Sequence, residues 1–163
     1  MQIHKVIKMS SDPEIIPSVI DEIIELLGAD CSHKDIIAIR IGLNEIIINA
    51  VEHGNLAIDW ETKNKALKDG DFDDFIKRRM KEEPFASKVV TIECLIYQKR
   101  ACFVVSDEGE GFNWRQIPDP RNDENIAIPH GRGISIARFY MDEVHFNEKA
   151  NEVTLVRHIN NNQ

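Results

Sequence analysis

The run Glu45-Ile46-Ile47-Ile48-Asn49-Ala50-Val51-Glu52-His53-Gly54-Asn55 constrains this chain more than any other segment. A helix of period 3.6 places residues four apart on one side. Glu45, Asn49 and His53 then form a polar line along an otherwise apolar helix that runs into a glycine. Ile36, Ile39, Leu43, Ile46, Ile47 and Ala50 repeat at three- and four-residue spacing and supply its packing side. A carboxylate beside an amide on a core helix is costly to bury without partners. The pattern therefore predicts something polar opposite it: a metal ion, a phosphate or water. The competing expectation is a helix that turns this line to solvent, but Ile46, Ile47 and Ile48 leave little polar surface nearby.

The chain around this helix is long enough for one domain with a sizeable core, at 163 residues and 42% hydrophobic content. Its formal net charge of −8 disfavours direct contact with nucleic acid or an anionic membrane. A nucleotide bound to so acidic a chain needs a metal ion to offset the repulsion. No apolar run reaches the length of a membrane span, and MQIHKVIKMS lacks the apolar core of a signal peptide. Cys31, Cys94 and Cys102 form no Cys-x-x-Cys pair, so reduced thiols in a cytoplasmic protein are expected.

The remaining elements follow from periodicity and punctuation. Ile3 to Met9 alternates as a first strand, and Ser10-Ser11-Asp12-Pro13-Glu14 starts a helix that ends at Gly28. A second helix is predicted from Ser32 through Asn49 to Gly54. A charged insert covers about 59–84, with Phe72, Phe75, Ile76 and Met80 at helical spacing. Val90, Ile92, Cys94 and Ile96 alternate as a strand, and Ala101 to Ser106 pairs with it across Gln98-Lys99-Arg100 as a hairpin. A proline-bearing loop without period follows and ends at Gly131-Arg132-Gly133, before a helix from Ile134 to about Met141. Val144 to Phe146 and Val153 to Ile159 close the chain as a second hairpin. Helices in runs and strands in hairpins indicate a two-layer α+β sandwich, not a doubly wound parallel sheet.

Two further segments carry chemistry. Asp107-Glu108-Gly109-Glu110-Gly111 places an aspartate at the end of an apolar strand, before glycines that let a ligand approach the backbone. Alone, it reads more readily as an Asp-Gly turn, since such turns are frequent. Gly131-Arg132-Gly133 stands at a helix N-terminus, where free N–H groups favour anions, or else it is a plain loop-to-helix junction. No Gly-Lys-Ser or Gly-Lys-Thr follows it, and the third glycine of a dinucleotide fingerprint is missing. Asn49 suits Mg²⁺ as an oxygen ligand, and Glu45 suits a general base or a water holder. His53 fits a helix-end or packing role more readily than a ligand role.

In this order the motifs resemble those of the gyrase, histidine-kinase and MutL ATPase superfamily. Glu45-x-x-x-Asn49-Ala50-x-x-His53-Gly54 is similar to its N box, Asp107-x-Gly109-x-Gly111 to its first glycine box, and Gly131-Arg132-Gly133-Ile134 to its second. The Asn-Ala-x-x-His-Gly form and the chain length resemble the small bacterial anti-sigma-factor serine/threonine kinases. The resemblance implies the Bergerat ATP-binding sandwich, with a mixed, mainly antiparallel sheet, as a single domain over 1–163 with an ATP lid at about 110–131. It implies ATP and Mg²⁺ as cofactors. Asn49 would bind the metal, Asp107 the adenine amino group, and Glu45 would activate the attacking hydroxyl. His53, Gly109, Gly111, Gly131, Arg132 and Gly133 would shape the nucleotide pocket. It also implies a sigma factor and an antagonist protein as partners, and a homodimer. The alternative is a non-catalytic module in which ATP sets the partner surface. Glu52 departs from the pattern, standing where many relatives carry lysine.

Overall fold

The computed structural model describes residues 2–29, 31–112 and 132–159. β1 (Ile3–Ser10) leads into a 3-10 turn at Pro13–Ile15, whose cap residue Asp12 accepts the Glu14 N–H at 2.9 Å. Proline fits at this start because it needs no donor there. Helix α1 (Ile16–Leu27) follows and stops at Gly28. Helix α2 (His33–Asn49) is capped by Ser32, whose hydroxyl oxygen accepts the Asp35 N–H at 3.2 Å. The long helix expected to reach Gly54 changes pitch: Ala50–Asn55 is a π-helical segment. Such wide turns re-aim the side chains that follow them.

The span read as one insert with one helix contains two. Helix α3 (Trp60–Asp69) is capped by Asp59, which accepts the Thr62 N–H at 2.7 Å, and ends at Gly70 with φ +74°. Its apolar residues are too few to show a period, and only Ala66 is buried, so the sequence pattern missed it. Helix α4 (Phe72–Arg79) carries the periodicity that was legible. Strands β2 (Val89–Tyr97) and β3 (Arg100–Ser106), helix α5 (Arg132–Tyr140), and strands β4 (Glu143–Phe146) and β5 (Glu152–His158) complete the chain.

The strands form one five-stranded sheet in the order β1-β2-β3-β5-β4. Every described pairing is antiparallel, so the parallel component implied by a mixed sheet is not among them. Register explains the alternation: Cys94, Phe103, Leu155 and Val144 align across the sheet on the helix-facing side. Cys94, Phe103 and Leu155 are fully buried there, against Ile39, Leu43 and Ile47 of α2 and Ile16, Ile20 and Ile23 of α1. Each such side chain contributes ~1.5–3 kcal/mol of burial free energy. The result is the α+β sandwich expected from the order of elements. Cys31 and Cys94 are buried free thiols and Cys102 is half-buried. Burial pushes the Cys94 thiol up to about 12, which keeps it protonated.

Two links set the geometry of the helix layer. Gly42 of α2 lies where a Cβ would come 2.7 Å from the Met141 side chain, so α2 and the end of α5 cross closely. Asp35 at the start of α2, with its side chain 2% exposed, accepts two bonds from Arg157 of β5, at 2.9 and 2.7 Å. Arg157 also donates to the Tyr140 carbonyl at 3.0 Å, tying the C-terminus of α5 into the same knot. The helix that carries Gly133 is therefore fixed against the helix that carries Glu45.

Candidate functional site

The first half of the site lies between α2 and α5. A Cβ on Gly133 would stand 2.8 Å from Glu45 Oε2, 3.5 Å from Asn49 Nδ2 and 3.7 Å from Asn49 Oδ1. The start of α5 thus faces the polar line of α2. Glu45 and Asn49 are both half-buried. Among the described residues neither side chain makes a hydrogen bond. A half-buried carboxylate and amide with no hydrogen-bond partner among the described residues, beside a helix N-terminus, fit an ion or a phosphate. Burial pushes the Glu45 carboxyl above its ordinary range; Lys63 opposes that shift and Glu52 adds to it. A carboxylate raised this way is a stronger base. Among the described residues no three His, Cys, Asp or Glu side chains converge on a metal position. Mg²⁺ held there would rest on Asn49, with phosphate oxygens and water completing its shell.

The second half lies where β3 ends. Asp107 follows Ser106, and its backbone N–H donates to the Asn151 carbonyl at 2.9 Å. Its Oδ1 accepts the Gly109 N–H at 2.8 Å. Gly54, at the end of the N-box-like run, packs directly on the Asp107 carboxylate, and a Cβ there would come 2.5 Å from Oδ1. A Cβ on Gly109 would come 2.5 Å from the Gly54 carbonyl oxygen. Both positions therefore need the smallest residue. Burial pushes Asp107 up to about 6, against the opposing pull of the Gly109 N–H and of Lys149 and Lys88. A half-buried carboxylate of this kind is a strong acceptor for a ligand N–H donor.

Asn55 joins the halves and was not singled out by sequence pattern. It is fully buried. Its Oδ1 accepts the Glu108 N–H at 2.7 Å, and its Nδ2 donates to Ser11 Oγ at 2.9 Å. Ser11 Oγ in turn donates to the Lys88 carbonyl at 3.1 Å. A buried asparagine next to a glycine at a helix end was the available signal, because such an amide must find partners.

The other expected residues divide. His53 Nδ1 lies 2.6 Å from the Ile58 carbonyl; since a carbonyl only accepts, Nδ1 carries the proton and the ring fastens the turn after the π segment. Gly111 has φ +75°, in the left-handed region, and lies against the Lys149 backbone, so it shapes the loop. Arg132 is exposed at the start of α5, directly before Gly133. Gly131 and most of the expected lid, 113–131, fall outside the described residues. Glu52 is buried and ion-paired with Lys63 of α3. That contact spans eleven residues, and nothing in the local pattern announces it.

Residues 78–157 match the family model described as a histidine kinase-like ATPase domain. The matched span contains Asp107, both glycine pairs and α5. This match supports the superfamily and ATP binding. Glu45 and Asn49 precede it, and join the matched segment through their contact with Gly133. No curated protein matches the chain. Among the described residues no helix is long and apolar enough to cross a membrane.

Proposed function

We propose that this chain is an ATP-dependent serine/threonine protein kinase of the anti-sigma-factor type. It binds Mg-ATP with adenine at Asp107 and phosphates at the Glu45–Asn49–Gly133 end. It phosphorylates a small antagonist protein and holds a sigma factor, acting as a cytoplasmic homodimer. One observation carries this reading: Gly133 rests on Glu45 and Asn49, while Asp107 rests on Gly54 and Gly109. The motifs of three separate segments thus face one another.

In this scheme Asp107 accepts the adenine amino proton, which selects adenine over guanine, since guanine presents a carbonyl at the equivalent edge. Asn49 holds Mg²⁺, which offsets the phosphate charge. Glu45 takes the proton from the attacking hydroxyl as its oxygen bonds to the γ-phosphorus, and the bond to the ADP oxygen breaks. Transfer of this type depends on positioning and charge neutralisation more than on covalent participation by the protein.

A thermal shift with Mg-ATP, Mg-ADP and Mg-GTP tests binding. At about 100 times its dissociation constant, a ligand stabilises by ~2.7 kcal/mol, a rise of several degrees at this chain length. No shift with millimolar adenine nucleotides refutes the proposal, and equal shifts with GTP refute the role of Asp107. Incubation with labelled ATP, antagonist and sigma factor then separates transfer from binding. Partner capture without label on the antagonist favours a non-catalytic ATP-dependent module.

A further inference from the structure

We propose that the α3–α4 arm is a working part of this site, in which Lys63 is a positioning residue that neutralises Glu52 and keeps the Glu45–Asn49 end receptive to a polyphosphate. The inference rests on the ATP-binding reading above and extends it to a segment outside the three motifs.

Glu52 is 6% exposed and belongs to the π segment that directly follows α2. It stands seven positions beyond Glu45 on the same helical run, where it opposes ionisation of that carboxyl while Lys63 favours it. A triphosphate entering there would add more negative charge to a pair that already repels. Lys63 removes the conflict. Its side chain reaches from α3, 19% exposed, and ion-pairs with Glu52. Its ammonium lies 5.4 Å from the Phe72 ring centre and 6.0 Å from that of Trp60, so the arm's own aromatics hold it in place. The arm is fastened in turn: Arg79 donates to the Leu56 carbonyl at 3.2 Å and sits between Phe75 and Phe85, 5.2 and 4.7 Å from their centres. The Ile58 N–H donates to the Glu52 carbonyl at 2.9 Å, closing the turn between the π segment and α3. Among the described residues the charged groups that act on Glu45 are Lys63 from α3 and Glu52 from the π segment; α5 contributes uncharged Gly133, preceded by exposed Arg132. The arm therefore brings the cation that offsets Glu52, at a distance no spacing rule reveals.

The test uses the full chain with Lys63→Met, Lys63→Arg, and Lys63→Met combined with Glu52→Gln. Mg-ATP and adenosine affinities are read by calorimetry, and the Glu45 carboxyl is titrated by NMR without nucleotide. Lys63→Met should weaken Mg-ATP about tenfold, leave adenosine unchanged and raise the Glu45 titration. Lys63→Arg should keep wild-type behaviour. Adding Glu52→Gln should restore both Mg-ATP affinity and the Glu45 titration, because neutrality is regained without the lysine. Should Lys63→Met fail to fold with Glu52 unpaired, the double variant decides alone: wild-type affinity supports the inference, and weak Mg-ATP binding overturns it by showing that Lys63 does not act through Glu52. Unchanged affinity in folded Lys63→Met also overturns it. If wild type binds no Mg-ATP, the functional reading fails, and an unchanged Glu45 titration in Lys63→Met independently overturns the role of Lys63.

Discussion

Replacing Asp107 with asparagine should make the protein more stable and a poorer adenine binder at once. The carboxyl is pushed up to about 6 by burial between Gly54 and Gly109. Its pKa in an unfolded chain is ~3.9. Between these values the native state holds a proton that the unfolded state has released. The group's contribution is thus fully present below about pH 4 and is lost as pH rises through about 6. A shift of roughly two units corresponds to ~3 kcal/mol, and partial solvent screening reduces that to ~1–2 kcal/mol. Asparagine keeps the acceptor for the Gly109 N–H without the charge. Its melting temperature should match wild type near pH 4 and exceed it by ~2–6 °C at pH 7. On the proposed reading, the same change replaces the charged acceptor for the adenine amino group with an amide, and a charged hydrogen bond is worth ~1.5–3 kcal/mol. Mg-ATP affinity at pH 7 should then fall ~10- to 150-fold. Calorimetric melting at several pH values and nucleotide titration read the two effects on one sample. A variant that melts below wild type at pH 7, with ATP affinity intact, refutes the placement of a desolvated, functional carboxylate here.

Glu45→Gln should retain nucleotide binding and lose phosphoryl transfer, and undiminished labelling of the antagonist would remove Glu45 as the base. If Glu45 is the base, it works only when ionised, and because burial raises its pKa, wild-type transfer should decline on acidification at a pH above the ordinary glutamate range. A profile that stays flat into the ordinary glutamate range in steady-state assays would contradict the assignment. Gly109→Ala drives a methyl to 2.5 Å from the Gly54 carbonyl. The backbone must give, at ~1–3 kcal/mol, which lowers the melting temperature by ~2–10 °C and disturbs Asp107. Wild-type melting and ATP affinity would show the contact to be slack. Arg157→Met leaves Asp35 buried without its cation and should cost ~3–5 kcal/mol in urea unfolding, most of it recovered when Asp35→Leu is added. An undiminished unfolding midpoint in the single variant would deny that this pair fastens α5 to α2.

Much of the scaffold is local and was therefore legible. The three- and four-residue spacing of Ile39, Leu43, Ile46 and Ile47 specifies the buried stripe of α2. The alternation of Val90, Ile92, Cys94 and Ile96 specifies the inner face of β2. Both periods are properties of the backbone, so residue order alone records them. Helix α3 escaped because charged residues at exposed positions carry no period, and its caps Asp59 and Gly70 were the only marks it left. The π turn at Ala50–Asn55 escaped because pitch answers to packing, not to composition.

The site divides along the same line. Residue order by itself determined which groups are available: a carboxylate and an amide one turn apart on a buried helix, an aspartate at a strand end, and glycines in two loops. Only the tertiary structure decided which of them meet. Gly133 comes to Glu45, Asp107 comes to Gly54, Asn55 reaches Glu108 across 53 positions, and Arg157 reaches Asp35 across 122. The physical reason is that a helix or strand fixes the direction of its own side chains, while the partner across a core is chosen by sheet register and helix crossing, which depend on every packed residue together.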